Sequence, residues 1–364
     1  MGVFFCLFIY IWIVALLTSR IKDNSRKRLM QALWVGLGLW LVLALRDWTV
    51  GQDLYNDDAG FGYVTVFQEF KGVSILDAAL GGVALNYEPG FALFDWIIAN
   101  FISDNPQAFI AISSLIEIGL IGYTFYRHSR DIIFSYIVFA CFGMYIFGFS
   151  GIRQAMAFSI TFFSFNYLYN KKPWKFFALV ILAFFFHSSA IVFAAVWFIR
   201  NKSLTHQIGV IYAVSILLSV PFIGTLLTSI ANSIFSGGKY SDYDQDGGSA
   251  ITMFLVYGAI FVGSFFFKEK SQDKQKLAFY RYMALFSFIG QAAGVFSAGS
   301  ITRIAFYFSI FYPLLMPELV QNTSERHVLT VLGCVLFVIF FYLTVHNGYM
   351  GVVPYNFFWE FNRY

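Results

Sequence analysis

The sequence predicts an all-α, polytopic integral membrane protein, and three observations carry that prediction. Of 364 residues, 59% are hydrophobic and only 12% charged, against about 25% charged in soluble domains. The apolar residues fall into runs of roughly 20, the length that crosses about 30 Å of hydrocarbon as a helix. Basic residues collect in some connecting segments and acidic residues in others. The length admits about ten crossings, with two further short or re-entrant elements and no sizeable soluble domain. Residues 1–364 therefore read as a single polytopic domain with an external segment at 46–88 and an external loop at 231–250.

Charge placement orients the runs. Arg20 to Arg28 holds five basic residues and one acid, which the positive-inside rule assigns to the cytoplasm. Lys171-Lys172-Pro173-Trp174-Lys175 and Lys268 to Lys276 follow the same rule. Asp47 to Glu88 holds seven acids against Lys71 alone, so it reads as external. Run one (3–19) enters and run two (29–45) returns outward. Runs 107–126, 132–152 and 154–170 then deliver Lys171 to the inside, with Arg153 at an outer turn. The stretch 89–102 has 14 residues and contains Asp95; it is too short to span and reads as re-entrant. Residues 176–199 are split near their centre by His187-Ser188-Ser189, and a hairpin lining a cavity fits, since irregular backbone at membrane depth is tolerated there. One full crossing with a break at Pro221 is the alternative. Runs 207–235, 250–267, 282–302, 304–320 and 328–345 complete the set. They put Arg303 near the outer end of a helix and leave Pro354-Tyr355-Asn356 outside.

Several function classes drop out. No basic face interleaved with aromatics supports nucleic-acid binding. Cys6, Cys141 and Cys334 lie in apolar runs without metal or disulfide spacing. Asp242, Asp244 and Asp246 open like a calcium loop, but the position for a bidentate glutamate is Met253. No metal site and no cofactor is expected.

On this topology Arg46, Asp53, Glu88, Arg153, His187 and Arg303 gather toward the outer half. Ionisable groups in or beside spans are costly unless they face a partner or a cavity, so a polar chamber opening outward is expected. Each has a plainer reading: Arg46 as an end-anchor, Arg153 as the mark of a turn, His187 as a satisfied structural histidine. Glu117 and Asp95 lack a clear partner and read as packing groups; Glu318 reads as solvated.

Set in order, Arg46-Asp47-Trp-Thr-Val-Gly51-Gln-Asp53-Leu-Tyr55, Tyr87-Glu88-Pro89-Gly90-Phe91, Ser150-Gly-Ile-Arg153-Gln154, Phe186-His187-Ser-Ser189, Arg303 and Pro354-Tyr355 resemble the EpsG family, a branch of the Wzy-type polysaccharide polymerases. The likeness runs through essentially the whole chain. It implies a GT-C-like membrane glycosyltransferase of the bacterial inner membrane, acting on its outer face. Such an enzyme joins undecaprenyl-diphosphate-linked oligosaccharide repeats, donor to acceptor, and releases undecaprenyl diphosphate; a chain-length regulator protein is a further partner of this class.

The candidate residues suit that chemistry. Arginine's planar fork matches phosphate oxygens, which points to Arg153 and Arg303, with Arg46 in reserve, as diphosphate ligands. An acceptor hydroxyl needs a base, for which Glu88, Asp53 and His187 are available, with Glu88 first because Pro89-Gly90 would fix it at a helix start. Gln154, Tyr55 and Tyr87 are candidate substrate contacts. A ligase or other lipid-linked-sugar transferase, and a flippase of the lipid-linked repeat, are the rival readings.

Overall fold

The computed structural model describes every residue except 56–61, 82, 84–86, 213, 216–246, 268–273, 297–298, 322 and 361–364. The acidic loop with Asp242, Asp244 and Asp246, the break at Pro221 and most of the 231–250 loop lie outside the described residues. Those described are helical with irregular connections, and their one β-feature is an isolated bridge between Arg46 and Phe357. They form two compact units, Met1–Ser188 with Val331–Tyr364, and Ser189–Thr330.

The first unit is built on α1 (Gly2–Ser19), α2 (Asn24–Ala44) and, after short helices α3 (Tyr63–Glu69) and α4 (Ile75–Ala79), on α5 (Pro89–Ile97) and α6 (Pro106–His128). Local chemistry sets the starts. Asp23 caps α2 by accepting from the N–H groups of Ser25 and Arg26. Asn105 caps α6 ahead of Pro106, which has no N–H to leave unpaired. α2 and α6 approach closely around small residues: the hydroxyl of Tyr136, which donates to the Ala32 carbonyl at 2.9 Å, fits against Gly36 and Gly122.

The run 132–152, expected as one crossing, is cut. α7 (Ile132–Cys141) ends at Phe142, Gly143 turns left-handed at φ +82°, and α8 (Met144–Phe147) is a single turn. A left-handed residue cannot continue a right-handed helix, and glycine takes that conformation without steric cost. The chain then enters α9 (Ile152–Tyr169) and α10 (Pro173–Phe186). α10 stops at His187, whose backbone is extended, so the break falls where the sequence placed it.

Side-chain contacts give the first unit two chemically distinct ends. At one, Arg28 of α2 donates to the Ser129 carbonyl at 2.9 Å and to that of Tyr126, while His128 pairs with Asn166 of α9 at 3.0 Å. At the other, Gln107 of α6 donates to the Ala44 and Arg46 carbonyls, and the tail docks through Asp47 N–H to the Asn356 carbonyl at 2.9 Å. The described residues of 46–102 form a cap at this second end. It packs Leu54, Tyr63, Phe67, Phe70 and Phe91 on Phe109, Ile152 and Met156. α5 runs on as a π-helical turn over Ile98–Ile102, so 89–102 is one short apolar helix, below spanning length.

In the second unit a 3-10 segment (Ser188–Ala195) leads to α11 (Val196–Ile199). Helices α12 (Gly247–Gly263) and α13 (Lys274–Phe296) pack together, with Phe254 and Phe261 stacked on Phe288. A 3-10 turn (Gly299–Ala305), α14 (Phe306–Ser309) and α15 (Tyr312–Gln321) follow. The run 304–320, read as one helix, bends by 45° between α14 and α15. Pro313 has no N–H to return to the Ser309 carbonyl, which removes a helical bond at the bend. Glu318, expected to be solvated, is 2% exposed within α15. α16 (Arg326–His346) is the last long helix.

Among the described residues α1, α2, α6 and α16 are long and apolar enough to cross a membrane, and the bent pair makes up to five. Of the other expected spans, α9 and α13 are unbroken helices of 18 and 23 residues that do not meet that standard, the rest are shorter or broken, and the run at 207–235 lies largely outside the described residues.

Candidate functional site

Three separate segments of the first unit meet at the capped end. Arg153 enters in the first turn of α9, Glu88 directly precedes α5, and Ser188 directly follows α10. Local backbone explains each placement. Pro89 occupies the first position of α5 and leaves Glu88 extended. Gly90 lets α5 lie against α10: a methyl there would sit 2.7 Å from Phe185 Cβ and 2.8 Å from its carbonyl oxygen. That approach brings the end of α10 onto Glu88.

The centre is an ion pair. Arg153 Nη1 donates to Glu88 Oε2 at 2.8 Å, with the two side chains 22% and 18% exposed. The second carboxylate oxygen accepts from Ser188 N–H at 3.0 Å and from its hydroxyl at 3.2 Å. Arg153 Nε donates to the Tyr63 hydroxyl at 3.4 Å, and its guanidinium lies 4.8 Å from the Tyr87 ring centre. Tyr63, Tyr87 and Phe91 pack edge-on or tilted at 5.2–6.0 Å, forming an aromatic wall beside the cation.

Electrostatics follow from these contacts. Burial by itself would raise the Glu88 carboxyl; Arg153, His187 and the Ser188 N–H outweigh it and hold the group below the ordinary glutamate value. Glu88 is therefore a carboxylate at neutral pH. Burial pushes the Tyr63 and Tyr87 hydroxyls up, so both stay protonated.

The remaining candidates divide. His187 caps α10 beside Ser188, and its imidazole is one of the groups that hold the Glu88 carboxyl low. Asp53 is exposed, and its carbonyl accepts from Tyr63 N–H at 3.0 Å, which places it on the rim of the same cluster. Tyr55 is half-buried against Trp48 with ring centres 6.3 Å apart. Gln154 is 2% exposed on α9. Arg46 is 1% exposed, with its guanidinium over the Phe149 ring at 4.8 Å. Arg303 belongs to the second unit, where it is half-buried on the 3-10 turn rather than near the end of a long helix. Tyr63 and Ser188 touch the ion pair and were not among the expected site residues. Tyr63 carries no signal in a chain with 22 tyrosines; Ser188 was legible only as part of the break after Phe186.

Fold and site together define an all-helical, multi-pass membrane protein carrying a mostly buried arginine–glutamate pair against an aromatic wall. The chain belongs to the EpsG family, whose model matches residues 29–357. No curated protein and no solved structure matches the chain.

Proposed function

We propose that this protein is a Wzy-type polysaccharide polymerase with a GT-C-like architecture of about ten crossings. It joins oligosaccharide repeats carried on undecaprenyl diphosphate at the outer face of the bacterial inner membrane. Membership of the EpsG family supports this reading, and the observation that carries it is the Arg153–Glu88 pair: a cation in a partly open, aromatic-walled site, held where a lipid diphosphate can approach.

In the proposed reaction an acceptor hydroxyl attacks the anomeric carbon of the donor repeat. The new glycosidic C–O bond forms as the bond from that carbon to the diphosphate oxygen breaks, and the diphosphate leaves with the electron pair. Arg153 stabilises the charge growing on the leaving group, the role in which a preorganised cation is most effective. Glu88 is the holding group: with one oxygen on Arg153 and the other on Ser188, it fixes the guanidinium. Ionised and engaged as it is, Glu88 is a weak base, and the acceptor's proton goes instead to His187, since imidazole is the side chain suited to proton transfer near neutral pH. Asp53 and Tyr55 on the rim, with Tyr87 on the wall, are the proposed sugar contacts. Gln154 supports them from α9.

The test is reconstitution of the purified protein in vesicles with a synthetic lipid-diphosphate repeat, with products resolved on a gel. A ladder of chain lengths is expected. A single transferred repeat would make the protein a ligase, and movement of intact donor without new bonds would make it a flippase.

A further inference from the structure

A buried arginine and a buried glutamate lie behind the site, and the proposed reaction does not use them. Arg46, just past α2, is 1% exposed, and Glu117, midway along α6, is 2% exposed. They meet on one residue. Arg46 Nη2 donates to the Gly148 carbonyl at 3.4 Å, and the Glu117 carboxylate lies against the Gly148 α-carbon so closely that a methyl there would fall 2.7 and 2.8 Å from its two oxygens. Among the described residues Arg46 Nε and Nη1 and Glu117 Oε1 have no hydrogen-bond partner. Burial pulls the Arg46 guanidinium down to about 10, against the field of Glu117, so it remains a cation at neutral pH.

Such a pair is a poor source of stability. Desolvating two charges costs about as much as their attraction returns, and replacing both by apolar groups is often neutral. What this pair grips is more informative. Gly148 opens the turn 148–151 that feeds directly into α9, one turn of helix before Arg153. The other side of the turn is gripped as tightly. Gly51, at φ +120°, leaves room for the Phe149 carbonyl, which a methyl at 51 would meet at 2.1 Å. The Ser150 hydroxyl accepts from Gln52 N–H at 2.7 Å.

We propose that Arg46 and Glu117 are positioning residues: by meeting on Gly148 they set the register of the 148–151 turn and so the reach of Arg153 into its site. This rests on the proposed polymerase reading for its kinetic consequence and not for its structural one.

The experiment compares R46M, E117M and the double variant R46M/E117M in detergent-purified, full-length protein. Each single variant leaves the other buried polar group without its counterpart and lowers the thermal midpoint; the double variant regains most of that loss. Amide exchange of peptides covering 148–155 quickens by about tenfold in all three, because the grip on Gly148 is gone even where global stability returns. In the vesicle assay the double variant shows a raised KM for the lipid-linked donor, whereas a merely structural defect would lower the active fraction and leave KM unchanged. A double variant no more stable than the singles, or a turn whose exchange matches wild type in the double variant, overturns the inference. Wild-type protein that makes no ladder would refute the polymerase reading, while the midpoint and exchange arms still decide this one.

Discussion

Two arginines flank the turn 148–151, and they live in opposite conditions. Arg46 is 1% exposed, with two of its nitrogens lacking hydrogen-bond partners among the described residues. The Arg153 side chain is 22% exposed, paired at 2.8 Å, and backed by a tyrosine hydroxyl and an aromatic face. The sequence offers the same residue type twice, yet only one is placed where a ligand from outside can reach it. The comparison teaches that burial, more than charge, separates the cation proposed to meet a substrate from the cation proposed to shape the backbone.

Substitutions at the open site sharpen this contrast most. Arg153→Ala should cost about 10²- to 10³-fold in chain extension, the usual loss when one preorganised charge is removed from a transition state, with membrane protein level unchanged on an immunoblot. His187→Gln should cost about 10²-fold or more in rate with donor binding retained, as expected for loss of a proton acceptor; equal loss of binding would make it a substrate ligand instead.

Glu88→Gln sits between the two regions in kind, because it disturbs a pair that both holds and is held. The sign of its pH effect follows from the depressed carboxyl. The folded value lies below the ordinary 4.5, so the pair's stabilisation is fully present above 4.5 and fades as pH falls through the lower folded value. Wild-type thermal midpoints should be flat from neutral pH to about 4.5 in this respect and drop below it, and the variant should lack that component of the acid-side drop. Ser188→Ala, which removes the 3.2 Å hydroxyl contact but keeps the N–H bond, should cost the least, within about tenfold in rate.

Much of the fold was legible because length and charge are strong constraints in a membrane. The 14 residues of 89–102 were too few to span and form one short helix; the polar triplet after Phe186 does end α10. Breaks set by single residues were harder to read. Gly143 and Pro313 interrupt runs that are apolar enough throughout to be read as single spans, so the length and hydropathy of the run outweighed the one glycine or proline that breaks it. The site was legible as a set and not as a geometry. Arg153, Glu88 and His187 were all named, but which carboxylate meets which arginine depends on the close approach of α5 and α10 at Gly90. Glu117 looked partnerless along its helix, and the cation whose field reaches it, Arg46, lies just past α2, so only tertiary packing brings the two near Gly148.

The most direct measurement is equilibrium binding of a polyprenyl diphosphate, without sugar, to purified wild-type and Arg153→Ala protein in vesicles. The account predicts at least about a tenfold loss of affinity in the variant, as befits a charge-assisted contact to phosphate, at matched thermal midpoints. Equal affinity in the two proteins would contradict it.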